Sequence, residues 1–251
     1  MMATTTSGRK IVAIIQARMG SRRFPGKVLA DLVGRPVLEW VVDAVKRVEG
    51  VDDIVVATTT NAEDQAIEDW CAGNEVNCFR GEPFDVLKRY ADCAKEYSAT
   101  HILRITADCP LLDPGTVSAV LREGLASGAD YFGLAGEFPD GFDCEGFTYG
   151  ALREADMRAR DPLQREHVTL FFKSNPQSFK IAPVYLYEGS GDVRLTIDRV
   201  EDLQFVSRFL DSLGWIATVP EARQLVAAYR QLGRDEITNR HITRNEGMFH
   251  S

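Results

Sequence analysis

No stretch of the 251 residues is apolar over the roughly 20 positions that a membrane-spanning helix needs, so the chain is expected to have no membrane partner. Residues 1–9, Met-Met-Ala-Thr-Thr-Thr-Ser-Gly-Arg, lack the apolar core of a signal peptide and read as a disordered leader. Positive charge is in the minority. With 29 Lys and Arg against 37 Asp and Glu, the net charge is −8, which argues against nucleic acid as a partner. Histidine is scarce, at four residues, and the five cysteines (71, 78, 93, 109 and 144) are odd in number and form no Cys-x-x-Cys. That pattern excludes a disulfide framework, disfavours a zinc site and fits a cytoplasmic protein with free thiols. Both the Gly-x-Gly-x-x-Gly dinucleotide fingerprint and the Gly-Lys-Ser/Thr of the Walker phosphate loop are missing. What remains is an ordinary globular composition, 45% apolar and 26% charged, long enough for one large domain over 10–233 with a polar tail at 234–251.

Against this acidic background, one basic stretch stands out. Lys10 to Ile15 is a β-branched apolar run without alternation, as expected of a strand buried on both faces of a parallel sheet. It leads into Arg18, Arg22, Arg23 and Lys27, interspersed with Gly20, Pro25 and Gly26. A loop leaving the carboxyl end of a central strand lies where ligands bind in open α/β sheets. Four cations there suit a polyanion, with the glycines letting backbone N–H groups approach it; a solvated basic loop is the plainer alternative.

Strand and helix patterns then alternate. A helix is expected from Pro36, with Val37, Leu38, Val41, Val42 and Val45 on one face, then a buried strand over 53–60. Asn61 is a candidate cap for the next helix, and Thr58 to Asn61 face either the same cleft or only a turn. A short strand over 75–79 ends at Arg80, and a helix follows from Asp85. Arg80 and Arg89 are candidates to meet a second anion or a base, or to be surface ion-pair partners. His101 to Thr106 is a further buried strand, after which Asp108 stands ahead of Pro110 as a candidate ligand for a hard cation such as Mg²⁺. Asp113 and Asp161, each before a proline, read as helix caps. A strand is also expected at 129–133, and Phe147 to Ala159 reads as a strand turning into a helix. Asp140, Asp143 and Glu145 cluster beside glycines, as metal or hydroxyl ligands or as a solvated loop. His167 is a helical histidine with either a packing or a chemical role. Val193 to Asp198 is expected to be the final strand, with Asp198 at its carboxyl end and Asp202 in the first turn of the next helix. A terminal helix over 221–231 and a loose polar end complete the pattern.

Several of these segments carry a resemblance. Ile-Ile-Gln-Ala-Arg-Met-Gly-Ser-Arg-Arg-Phe-Pro-Gly-Lys (14–27) is similar to the opening signature of cytidylyltransferases that make CMP-activated acidic sugars. Phe-Arg-Gly with Asp-Val-Leu-Lys-Arg-Tyr (79–90), Pro-Asp-Gly-Phe-Asp (139–143) and Arg-Glu-His-Val-Thr (165–169) resemble the branch named after the spore coat polysaccharide protein SpsF. The likeness spans about residues 10 to 210 and continues through Ala-Asp-Cys-Pro and Thr-Ile-Asp. The pattern departs at Arg22, usually a small polar residue, and at Arg199-Val200, where the family has Thr-Pro.

The resemblance implies an α/β fold, three-layer and doubly wound around a mostly parallel sheet, like the nucleotide-diphosphosugar transferases. It also implies a homodimer, with about 138–190 as an acceptor lid and dimer contact. The reaction implied is transfer of CMP from CTP to an acceptor with release of pyrophosphate. The acceptor would be a small anion, either a sugar acid for surface polysaccharide or a phosphonate- or phosphate-type molecule. Nucleotide contacts would fall to Gln16, Ala17, Arg18, Gly20, Ser21, Arg23, Lys27, Thr58, Thr59, Asn61, Arg80 and Asp108. Lys27, Arg18 and Asp108 would be catalytic, and Asp108 and Asp198 would hold Mg²⁺. Asp140, Asp143, Glu145, Arg165 and His167 would face the acceptor. Two other classes stay open: a glycosyltransferase using a nucleotide sugar, for which an Asp-x-Asp motif is missing, and a non-catalytic nucleotide-binding protein.

Overall fold

The computed structural model describes residues 8–214, 220–233, 236–242 and 244. Most of the expected leader (1–7) and much of the tail (234–235, 243 and 245–251) lie outside the described residues.

The apolar run at the amino end forms β1 (Ile11–Gln16), whose first five residues are buried. It pairs in parallel with β4 (Asp53–Thr59) on one side and β6 (His101–Thr106) on the other. Between β1 and β4, a two-residue hairpin, β2 (Asp31–Leu32) and β3 (Arg35–Pro36), leads into α1 (Val37–Lys46). Then follow α2 (Gln65–Gly73), β5 (Asn77–Gly81) and α3 (Val86–Glu96). After β6 come α4 (Pro114–Ser127), β7 (Tyr131–Leu134), β8 (Glu145–Thr148), α5 (Tyr149–Arg158), α6 (Pro162–Glu166), α7 (Leu170–Ser174) and β9 (Ile181–Val184). The chain then forms α8 (Val200–Leu213) and α9 (Ala222–Gln231). The central sheet runs β5-β4-β1-β6-β8-β7-β9. Only β8 lies antiparallel to its neighbours, β6 and β7, so the sheet is mostly parallel, as expected.

Alternation along the central strands supplies two cores. Ile11, Ala13 and Ile15 point to the layer of α1, α2 and α4, and Val12 and Ile14 to the layer of α3, α5 and α7. Caps form at Asp113 and Asp161, as the sequence suggests, and also at Asp85. The carboxylates of Asp85, Asp113 and Asp161 accept from the backbone N–H groups of Lys88, Thr116 and Leu163. Asn61 makes no such side-chain bond.

Residues 138–190 carry part of the sheet and its cover: β8 inserts between β6 and β7, and α5 and α7 pack on the sheet's second face. One expectation changes. Val193 to Asp198 is not a strand of the sheet. Its inward residues Val193, Leu195 and Ile197 are fully buried against α8 and α9, but its backbone pairs with loops instead. The Leu195 N–H donates to Asp140 O (2.7 Å) and the Ile197 N–H to Asp108 O (2.8 Å). The alternation was correctly legible; the pairing partner was not. Gly141 makes this docking possible, with φ at 108° and with its Cα so close that a Cβ would lie 2.8 Å from the Thr196 amide nitrogen. Gly141→Ala is therefore expected to destabilise the fold by about 1–3 kcal/mol, read by urea denaturation.

Candidate active site

The site is built where β1 and β6 end. The loop after β1 is folded on itself: the Ser21 and Gly26 N–H groups both donate to Met19 O at 2.8 Å. The Met19 N–H in turn donates to buried Asp64 (2.6 Å), anchoring the loop to the start of α2. Gly26 takes a left-handed conformation (φ 75°), which turns the chain so that Lys27 points back across the sheet.

There the Lys27 ammonium meets three acceptors: Asp108 Oδ2 at 2.7 Å, Asp198 Oδ1 at 2.9 Å and the Ile197 carbonyl at 2.9 Å. Burial alone would lower the lysine's pKa, but the two carboxylates outweigh it and hold it above its ordinary value. Burial likewise would raise Asp108, and the Lys27 charge reverses that and holds the carboxyl at about 2. Arg23 reaches the same Asp198 oxygen at 2.9 Å. Lys27 and carboxylates 81 and 171 positions away in sequence thus share one cluster.

Behind Asp198 stands Arg194, a residue whose sequence context (one arginine in Val-Arg-Leu-Thr-Ile) gives little sign of its role. It is 5% exposed and donates to both oxygens of Asp202 (2.9 Å each), to Asp140 (2.6 Å) and to Asp198 (3.4 Å). Asp202, fully buried, also accepts from the Asp198 and Arg199 N–H groups and from the Asn239 side chain. The expected loose tail is therefore tied in at this point. Arg244 adds a bond to Asp143 (3.0 Å) and lies over the Phe138 ring.

The other candidates are dispersed. Arg18 is exposed and 3.6 Å from Glu166 of α6. Gly20 is exposed, and the Ser21 hydroxyl takes a long bond (3.4 Å) from the Phe24 N–H, bracing the loop. Ala17 is buried and donates to Ala57 O, while Gln16 leaves its Oε1 buried without a donor. Thr58 and Thr59 are buried, with Thr59 bonded to Asp64 and the Asn61 N–H bonded to Thr59.

Four residues expected to touch ligand are engaged elsewhere. Arg80 spends its guanidinium on Thr59 O, Asn61 O, Gln65 and Glu68, clamping β4 and β5 to α2. Arg165 is held by Asp85 (2.5 Å), Asp156 (2.6 Å) and two carbonyls, joining α6 to the start of α3. Glu145 lies within the sheet, bonded to Arg104, Tyr131, Thr169 and Lys173, and although burial opposes it, the cations hold its carboxyl at about 2. Asp140 belongs to the Arg194 cluster rather than to an open wall. His167 ends α6 with its Nε2 buried and unbonded, and burial lowers its pKa.

A basic loop facing two carboxylates, Asp108 just past β6 and Asp198 just before α8, suits nucleotidyl transfer. The model of a family described as cytidylyltransferase matches residues 12–231. This chain belongs to the cytidylyltransferase family. It is 40% identical over 199 residues to an uncharacterized protein of Methanocaldococcus jannaschii, covering 78% of this chain and 81% of that one. It is 29% identical over 211 residues to the spore coat polysaccharide biosynthesis protein SpsF of Bacillus subtilis, covering 81% and 88%. It is also 34% identical over 180 residues to the 3-deoxy-manno-octulosonate cytidylyltransferase of Anaeromyxobacter dehalogenans, covering 65% and 73%. Among solved structures, a cytidylyltransferase from Leptospira borgpetersenii superimposes with a TM-score of 0.86 at 28% identity, covering 92% of this chain and 98% of that one. The chain is thus a cytidylyltransferase enzyme with the α/β fold of that family. Among its described residues, no helix is long and apolar enough to cross a membrane.

Proposed function

We propose that this cytidylyltransferase transfers CMP from CTP to a sugar acid used in a surface polysaccharide, and that the reaction depends on Mg²⁺. The observation that carries the reading is the Lys27 ammonium held between Asp108 and Asp198, beside Arg23. It supports the metal because the two carboxylates already hold one cation, and two carboxylates plus phosphate oxygens are a donor set that Mg²⁺ accepts. Among the described residues no group of three or more Asp, Glu, His or Cys side chains is placed to hold a metal ion. The phosphates of the nucleotide would supply the remaining ligands. A sugar acid is favoured by the likeness to an octulosonate cytidylyltransferase and to a polysaccharide biosynthesis protein.

An acceptor hydroxyl attacks the α-phosphorus in line and gives up its proton to solvent water. The bond to the β-phosphate oxygen breaks, and pyrophosphate leaves with the electron pair. Arg18 and Arg23 hold the triphosphate and offset the charge that grows on the leaving group. Asp108 and Asp198 would hold the divalent ion, and the Lys27 ammonium beside them would meet the same phosphates. When bound, Mg²⁺ supplies Lewis-acid stabilisation of the phosphate oxygens. The part of Asp108 is to bind and orient. Most of the rate then comes from alignment and fixed charge.

The test is pyrophosphate release with CTP and Mg²⁺ across sugar acids, sugar phosphates and phosphonates. Turnover with a 2-keto sugar acid is expected, whereas turnover confined to a phosphonate or phosphorylated acceptor would overturn the acceptor reading. In the same assay, Asp198→Asn should raise the Mg²⁺ concentration for half-maximal rate by about tenfold or more, because second-sphere and ligand changes typically cost 10- to 100-fold in metal affinity. Full activity at limiting Mg²⁺ would remove Asp198 from the metal site.

A further inference from the structure

The match to the family model stops at residue 231, yet the chain beyond it returns to the site. Residues 236–242 and 244 fold back against α8 and residues 138–143. At the surface, the Thr238 hydroxyl accepts from Arg208 of α8 (2.8 Å). Arg244 donates to the Phe138 carbonyl (2.9 Å) and to Asp143 (3.0 Å). Between these two fastenings Asn239 is 0% exposed, although asparagine is a residue mostly found at surfaces. Its Nδ2 donates to Asp202 Oδ1 at 2.9 Å, while its Oδ1 is buried without a donor. Burying an amide with one end unsatisfied is unfavourable, and an apolar side chain of similar size would fill the space without that cost. The bond to Asp202 is what the asparagine adds.

Asp202 is the keystone of the cluster. Five N–H groups of the described residues reach its two oxygens. Oδ1 accepts from Arg194 Nε and Asn239 Nδ2, at 2.9 Å each. Oδ2 accepts from Arg194 Nη2 (2.9 Å) and from the Asp198 and Arg199 N–H groups (3.0 Å each). Asp202 therefore holds Asp198 twice, directly at its main chain and through Arg194, whose Nη2 lies 3.4 Å from Asp198 Oδ2. Four of the five donors belong to residues 194–199. Asn239, 37 positions further on, is the donor that comes from another part of the chain.

We propose that Asn239 is a positioning residue for the metal site: by fixing the Asp202 carboxylate it sets the Asp198 carboxylate for the divalent ion. The inference rests on Asp198 being a ligand of that ion. The terminal torsion of an aspartate has a broad, soft profile, so a carboxylate keeps its plane only where its donors hold it. Without Nδ2, Oδ1 keeps a single donor, and the carboxylate can turn with Arg194. The Asp198 main chain and side chain are both bonded to that pair and would follow. Mg²⁺ demands near-ideal octahedral geometry, so a small loss of order in one ligand costs affinity. The tail past the shared family region is thereby a working part of the site.

Mn²⁺, which takes the same oxygen-rich octahedral sites, is the probe. Its binding to the full chain in the presence of CTP is followed by electron paramagnetic resonance, well below the melting temperature of each variant. Asn239→Leu keeps the volume and removes the donor. It should weaken Mn²⁺ binding about threefold to tenfold, less than the 10- to 100-fold typical of a direct outer-shell partner, because it acts through Asp202. CTP binding without divalent ions should not change. Thr238→Val, which releases the same segment from Arg208 but leaves the Asp202 donors in place, should bind Mn²⁺ like the unsubstituted protein. Unchanged Mn²⁺ affinity in Asn239→Leu would overturn the proposal. So would an equal loss in Thr238→Val, which would assign the effect to a loosened tail. If Asn239→Leu does not fold, Asn239→Ser, too short to reach Asp202, decides in its place. An Asp198→Asn variant that binds Mn²⁺ as tightly as the unsubstituted protein would overturn the metal reading itself, and the inference with it, which separates that failure from a misassigned Asn239.

Discussion

Lys27→Met is expected to lower the turnover number about 10²- to 10³-fold, the loss typical of removing one preorganised charge-stabilising donor. The effect should fall on turnover more than on acceptor affinity, because in the proposed reaction the ammonium would meet the phosphates and not the acceptor. Stability should change in a pH-dependent way. Asp108 has its folded pKa depressed to about 2, so its contribution is complete above its unfolded value of about 3.9 and is lost as pH falls toward 2. Without the lysine, the carboxyl titrates nearer its ordinary value or above it, and the acid limb of the stability curve should move upward in pH. Lys27 itself has a raised pKa, so its share persists through neutral pH and is lost only when pH rises through that folded value. Urea denaturation between pH 2 and pH 7 reads the first effect. If Mg²⁺ occupies the same two carboxylates, it should raise the melting temperature of Lys27→Met more than that of the unsubstituted protein. Equal shifts would mean that lysine and metal do not share the site.

Arg194→Met should be the most destabilising single change near the site, costing about 3–5 kcal/mol, since it leaves buried carboxylates without their cation. Asp202 is fully buried and loses a two-pronged partner, while Asp140 loses its 2.6 Å bond. Burial would raise the Asp202 pKa, and Arg194, with further hydrogen bonds, holds it below the ordinary value. The stabilisation from that pairing is therefore present above about 3.9 and lost as pH falls through the lower folded value. In the variant, the orphaned carboxylates are expected to take up protons more readily, so the penalty should be larger at pH 7 than at pH 4.5. A penalty that does not vary between those pH values would point to lost packing. Because Arg194 also supports Asp198, surviving activity should need more Mg²⁺.

Local chemistry made much of this protein legible in its sequence. The apolar runs of β1, β4 and β6 have to be buried wherever they go, and carboxylates placed just before a helix satisfy N–H groups only three or so positions away. Such signals are complete within a few residues, so caps at Asp113 and Asp161, the parallel sheet and the basic loop could all be read in advance. The identity of each charge's partner could not. Arg80 and Arg165 look like ligand-binding arginines in sequence, yet nearby acceptors on β4, α2, α3 and α5 take up their donors. Glu145 resembles a loop carboxylate until β8 carries it between two strands and beside Arg104. Val193 to Asp198 has a strand's alternation without a strand's pairing, because only the fold brings the loops around Asp108 and Asp140 against it. By itself, then, the sequence determined the strands, the caps and the cations available to a triphosphate. Tertiary structure alone decided that Lys27 sits between Asp108 and Asp198, that Arg194 braces Asp198 and that Arg89 is buried with no hydrogen-bond partner among the described residues. The reason is that an ion pair is chosen by distance in space and by desolvation, and both arise only when segments far apart in sequence are packed together.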